Sequence, residues 1–237
     1  MSEIITFSSA ELTPGRDAVL QNQGIPAGAV VSDEIETLLD SACHLLAEVA
    51  APAGILRELS KPEFELVYQG EGRNEPRTPV GDIFRRAGSL ALFVVTLGEP
   101  VSRKIDECFK SNGFALGAML DAAASAAADK LATVAAGRFA EHLVQSGRPA
   151  SESAVLPYSP GYCGWHISGQ KRLFEYLRPE RIGVTLTASF LMQPLKSVSG
   201  VLIAGPKELH EFDMCYSQCN RCETRSCQER IRALRAG

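Results

Sequence analysis

The sequence predicts an α+β fold, a twisted antiparallel sheet with flanking helices. Strand and helix signals both occur along the chain, but no strand–helix unit repeats, which disfavours a doubly wound parallel sheet. One long Ala-rich helix and a C-terminal Cys-rich appendage complete the expectation. With 237 residues and 25.5 kDa, the chain is long enough to bury a substantial core.

Taken in order, Glu3-Ile-Ile-Thr-Phe7 reads as a short opening strand, and Pro14 to Gly24 as one or two helical turns closed by glycine. Ser32 opens a helix: it can cap the first turn, acids follow it, and Ile35, Leu38, Leu39, Cys43, Leu46 and Val49 recur on one face. Pro52 and Gly54 end that helix. Ile55 to Ser60 and Glu63 to Tyr68 are expected as strands, followed by a polar loop from Gly70 to Pro76. A short helix, Val80 to Ala87, leads into the apolar run Ser89 to Leu97, which has the length of a buried strand. Gly98-Glu-Pro opens a helix from Val101 to about Lys110.

The longest helical signal runs from Phe114 to about Val144. Leu116, Leu120, Ala123, Ala127, Leu131 and Val134 form its apolar stripe, and its many alanines let other backbone pack closely. Asp121, Ser125 and Asp129 lie one turn apart on one face. A solvated outer face is the expectation for them, because helical charges usually face water; the other reading is a polar strip bordering a cleft. Ser146 to Pro160 is expected to be a Pro/Ser/Gly-rich loop. A helix from about Ser168 to Leu177 follows, then strands at Thr185 to Met192 and Val198 to Ala204, and a short basic helix from Glu229 to Arg235.

Four of the seven cysteines fall near the C-terminus, at Cys215, Cys219, Cys222 and Cys227. So short a segment has too few apolar side chains to bury four thiols. Crowded thiolates repel unless a cation, a cluster or a disulfide neutralises them. Structural zinc sites usually pair two knuckles a dozen or more residues apart. The spacing C-x3-C-x2-C-x4-C instead favours a 4Fe–4S cluster wrapped by one loop. Zinc is the alternative and disulfides come third. Cys43 and Cys108 read as small buried side chains on helices.

Composition narrows the function classes. The net charge of -4 disfavours nucleic acid as a partner, since phosphate binding needs a basic surface. No apolar run reaches the length of a membrane span, and no basic-then-apolar export signal opens the chain. A reducing cytoplasm is the expected location. No phosphate-binding G-x-x-x-x-G-K-[ST] loop is present, and Gly70-Glu-Gly72 lacks the rest of a dinucleotide fingerprint.

Ser159-Pro160-Gly161-Tyr162-Cys163-Gly164-Trp165-His166 is the candidate ligand loop. Its glycines allow close backbone approach or positive φ, and Tyr162, Trp165 and His166 concentrate ring faces and hydrogen-bonding groups. For Trp165 taken alone, plugging the core is the equal alternative. Imidazole is a common metal ligand, so His166 and His210 are candidate axial ligands of a metal, but ordinary hydrogen bonding is expected of each. His210 is also a candidate to complete a mixed ligand set with three of the cysteines.

Pro160-Gly161-Tyr162, followed by Leu186-Thr187-Ala188-Ser189-Phe190-Leu191-Met192-Gln193-Pro194 and Val198-Ser199-Gly200, resembles the activation (reactivation) domain of cobalamin-dependent methionine synthase and related stand-alone proteins. The resemblance covers residues from about 10 to 206 and is most specific between Pro160 and Gly200. It divides the chain into an activation-domain-like part, residues 1–206, and a Cys-rich metal- or cluster-binding tail, residues 207–237. It implies binding of S-adenosylmethionine at the loop and a corrinoid (cobalamin-binding) protein or methyltransferase as partner. Reductive reactivation of that partner would be the activity, with the Cys cluster as electron relay. Where the family carries an arginine five residues before the tyrosine, this chain has Pro157, which offers no donor to a ligand carboxylate. A later family tyrosine aligns near His210. Two other readings follow: a non-catalytic interaction module with a structural zinc clip, or an activation domain still using S-adenosylmethionine through backbone contacts.

Overall fold

The computed structural model describes residues 3–148 and 153–211. Cys215, Cys219, Cys222 and Cys227, and the basic helix expected at Glu229 to Arg235, lie outside the described residues. The main sheet is antiparallel throughout, in the order β1-β2-β3-β7-β4. Its strands are β1 (Glu3–Thr6), β2 (Ala53–Leu59), β3 (Ser89–Thr96), β4 (Ser153–Tyr158) and β7 (Ser197–Pro206).

Helices cover both faces of this sheet. On one lie α2 (Arg16–Asn22), α3 (Asp33–Val49), α6 (Glu99–Lys110) and α7 (Phe114–Gln145); on the other lie α4 (Lys61–Gln69), α5 (Pro79–Arg86) and α8 (Gly169–Leu177). Side chains alternate across a strand, so β3 sends Ala91, Phe93 and Val95 into the first core and Leu90, Leu92 and Val94 into the second. From β7, Leu202 and Ala204 enter the first core, and Val201 and Ile203 the second. Double coverage is why the β3 segment is an unbroken apolar run, although its neighbours are antiparallel.

The structure departs from three expectations. Glu63 to Tyr68 is not a strand but the body of α4. Ser60 accepts from the Glu63 N–H while the Glu63 carboxylate accepts from the Ser60 N–H, a reciprocal box that starts a helix, and Pro62 lies in its first turn. Within the expected loop from Ser146 to Pro160 lies β4. Pro157 obscures it in sequence, yet proline is compatible with an edge strand, and β4 is last in the sheet order. Thr185 to Met192 is not one strand: β5 (Thr185–Leu186) and β6 (Met192–Gln193) pair across a turn in which Thr187 Oγ1 accepts the Leu191 N–H at 3.0 Å.

Helix α7 is 32 residues long. Ala122, Ala123, Ala124, Ala126, Ala127 and Ala128 are all buried, because the helix lies against the sheet and is itself overlaid by α2, α3 and α6. Alanine has the highest helix propensity and lets those neighbours approach its backbone. No helix among the described residues is long and apolar enough to cross a membrane.

Short helix α1 (Ser9–Leu12) is tied to α7 by Glu11, whose carboxylate meets Arg138 Nη2 at 2.6 Å. The Ser8 N–H, the Ser8 hydroxyl and Arg138 together hold the Glu11 carboxyl down from its ordinary 4.5 to about 2. A depressed carboxyl stabilises the fold above its unfolded value and loses that contribution as pH falls through the folded value. Wild type should therefore lose about 1 kcal/mol relative to Glu11→Gln between about pH 5 and pH 2, the pair being partly screened by solvent. Urea unfolding of both proteins across that range measures the difference.

Candidate functional site

Strand β4 leaves the sheet at Tyr158, which pairs with Val201 of β7. Beside that pair, a Cβ on Gly200 would stand 2.2 Å from the Tyr158 carbonyl oxygen and 3.0 Å from the Phe93 ring. Only glycine permits this approach, so the Val198-Ser199-Gly200 and Pro160-Gly161-Tyr162 segments, some forty residues apart, meet at one seam.

Beyond the seam the chain folds back on itself. The Gly161 N–H donates to the Trp165 carbonyl at 2.7 Å, and the Trp165 N–H to the Tyr162 carbonyl at 3.0 Å. Gly161, Cys163 and Gly164 have φ of 93°, 52° and 74°, which the two glycines adopt without strain. The polar loop after α4 clasps the turn from behind. Glu75 N–H donates to the Gly164 carbonyl at 3.0 Å, and Asn74 Oδ1 accepts the His166 N–H at 2.9 Å.

The seven candidate binding residues of the loop divide into two groups. Ser159, Tyr162 and Cys163 line a cleft of about 910 Å³, as does Pro160 between them, whereas Gly161, Gly164, Trp165 and His166 shape the loop behind it. Trp165 is 1% exposed and stands edge-on to Phe64, ring centres 5.7 Å apart. Its ring lies so close to α8 that a Cβ on Gly169 would be 2.4 Å from Nε1. Trp165 therefore plugs the second core and pins the loop. His166 Nδ1 accepts the Ser168 N–H at 3.2 Å and lies 2.9 Å from the Ser168 hydroxyl. His210 is buried, with Nδ1 2.8 Å from the Tyr158 hydroxyl and Nε2 3.2 Å from the Ala154 carbonyl. Both its nitrogens have partners among the described residues.

Across the cleft stands α7. Asp121, Ser125 and Asp129 keep access to solvent and also border the cleft: Ser125 and the exposed Asp129 line it, and Asp121, its side chain 46% exposed, pairs with Lys196. Both readings of this strip hold, because this side of α7 faces the start of β7 across an open cleft. Lys196 and Gln170 were missed as site residues. The only sequence signal was a lysine placed between Leu195 and the Val198-Ser199-Gly200 segment, and a lone lysine is ordinarily solvent-exposed. Gln170, at the start of α8, accepts the Ser199 hydroxyl at 3.2 Å. Pro157 also lines the cleft, and it has no N–H to offer there. Among the described residues no cluster of His, Cys, Asp and Glu is placed to hold a metal.

An antiparallel sheet covered on both faces, with a cleft between its long helix and a Pro-Gly-Tyr loop, defines an α+β domain with one candidate site. A model of the family "Vitamin B12 dependent methionine synthase, activation domain" matches residues 84–226, more than half of the chain. The protein belongs to that family. Among solved structures, it is similar to the one described as "Crystal Structure of the MetH Reactivation Domain bound to AdoHcy". The TM-score is 0.64 and the identity 17%, over 100% of this chain and 88% of that one. That likeness establishes the shared fold. No curated protein matches this sequence closely enough to count as a relative.

Gly200→Ala should force β4 and β7 apart at Tyr158 and destabilise the protein by about 2 kcal/mol or more, since backbone cannot move aside as a flexible side chain can. Trp165→Ala should cost about 3–5 kcal/mol through the void left in the second core. Thermal and urea unfolding followed by circular dichroism test both.

Proposed function

We propose that this protein serves a corrinoid-dependent methyl-transfer system, docking on a cobalamin-binding protein and assisting the return of its cobalt to the reduced state. The observation that carries this reading is the cleft framed by the Pro160-Gly161-Tyr162 loop, α7 and the start of β7, in a chain of the activation-domain family. Tyr162 and Leu195, 53% and 65% exposed, stand at its mouth and offer apolar surface to a partner.

S-adenosylmethionine, or the S-adenosylhomocysteine left after methyl transfer, is the small ligand proposed for the cleft. The volume lies within the usual range for such ligands, and the residues present fit one. Alanines of α7 and Val198 give apolar wall, while Ser159, Ser199 and Gln170 supply polar groups. When bound, this ligand supplies a methyl group for reduced cobalt. The protein's own residues orient it and exclude water: Gly161 and Gly164 bend the loop, and Trp165 holds it against the second core.

The electron-relay part of the proposal assigns Cys215, Cys219, Cys222 and Cys227 to a 4Fe–4S cluster, with zinc as the alternative. Its support is the ligand spacing. A one-electron donor would reduce the cluster, and the cluster would pass that electron to the partner's cobalt(II), giving cobalt(I).

Two measurements test the reading. Mixed with cobalamin-loaded methionine synthase lacking its own activation domain, the protein should form a complex in gel filtration. With a reductant and S-adenosylmethionine it should convert the cobalt(II) spectrum to the methylated form, and Tyr162→Ala should slow this by about tenfold, the loss of one good contact. Absence of both complex and conversion would sink the proposal. Protein purified without oxygen should contain iron and sulfide. Zinc alone would turn the tail into a structural clip, and neither metal would remove the relay.

A further inference from the structure

Lys196 is the buried cation of the cleft, 8% exposed. Its Nζ donates to Ser125 Oγ at 2.8 Å and forms an ion pair with Asp121 Oδ1 at 2.8 Å. An ammonium carries three N–H donors; the third has no partner among the described residues, and the side chain lines the cleft. The fold itself does not require a cation here. The backbone duty of position 196, accepting the Leu97 N–H at 3.0 Å, is open to any residue.

Burying an ammonium is costly unless it is fully partnered. The Asp121 side chain is 46% exposed, so solvent shares its charge and it compensates Lys196 only in part. Ser125, the other partner, is neutral. The arrangement is thus a cation held in place by α7 with one donor in reserve, in a cleft whose walls are otherwise mostly apolar. Asp129, one helical turn beyond Ser125, brings a carboxylate to the same cleft.

From this geometry we infer that Lys196 anchors the carboxylate of an amino-acid-bearing ligand, making a free carboxylate a condition of tight binding. The inference deepens the reading of the cleft given above and rests on it: it names which part of the ligand is recognised and by which residue. A lysine at the start of β7 takes the carboxylate that position 157 of β4, a proline, has no donor to meet.

Isothermal titration on the full chain tests this with two probes, S-adenosylhomocysteine and its decarboxylated form, which keeps the nucleoside, the thioether and the amine. Wild type should bind the carboxylate-bearing probe about 10- to 100-fold more tightly, the weight of one charge-assisted hydrogen bond. Lys196→Met should lower the affinity for S-adenosylhomocysteine to that of the decarboxylated probe and leave the latter unchanged. Lys196→Arg should retain most of the preference. Equal binding of both probes by wild type, or equal loss of both in Lys196→Met, overturns the role of Lys196 while leaving an adenosyl ligand in the cleft. Binding of neither probe by wild type overturns it together with the adenosyl-ligand part of the function; docking on the corrinoid protein is then still decided by complex formation. Asp121 is open to water, so Lys196→Met is expected to fold, and the wild-type comparison of the two probes stands without it.

Discussion

The antiparallel seam between β4 and β7 is the constraint on which the site depends. Tyr158 pairs with Val201, and the absence of a side chain at Gly200 lets the Tyr158 carbonyl sit where a Cβ would be. The next residues of β4 turn out of the sheet into Ser159 and the Pro160-Gly161-Tyr162 loop. At its start, the same β7 presents Ser197 and Ser199 to the cleft, and Lys196, the residue just before it, lines the cleft beside them. One strand thereby sets both the height of the loop and the position of the cation opposite α7. Its other end, from Val201 to Ala204, is buried on both faces and cannot shift without disturbing two cores.

The loop is rigid for a reason distinct from the seam. Trp165 is a side chain of the second core that happens to lie in the loop. It is packed against Phe64, Tyr68 and the bare backbone of Gly169. Asn74 and Glu75 bind the loop's backbone from the other side. Tyr162 and Cys163 are left facing the cleft on a turn whose own hydrogen bonds are closed. A site residue held this way needs little reordering when a ligand arrives, which favours affinity.

Much of this was legible in the residues. The amphipathic helix after Ser32, the apolar strand Ser89 to Leu97, the alanine helix and the glycine-bent loop each carry a local pattern, and local patterns survive into the fold. Glu63 to Tyr68 was misread because its alternating apolar residues outweighed the Ser60–Glu63 box just upstream. Strand β4 was hidden by Pro157, which reads as a loop residue until the strand is known to be an edge. Trp165 and Tyr162 are three residues apart in one aromatic loop, and nothing local says that one faces the core and the other the cleft.

Residue identity by itself determined the α+β class and the kinship with activation domains, because periodicity and motif spacing are properties of neighbouring residues. Tertiary structure alone decided that the Asp121, Ser125 and Asp129 face of α7 borders the cleft and that Lys196 is buried against it. Those partners are some seventy residues apart in the chain, and their meeting follows from how a long helix lies across the sheet. Polarity and periodicity in one segment carry no information about what a distant strand will place opposite it.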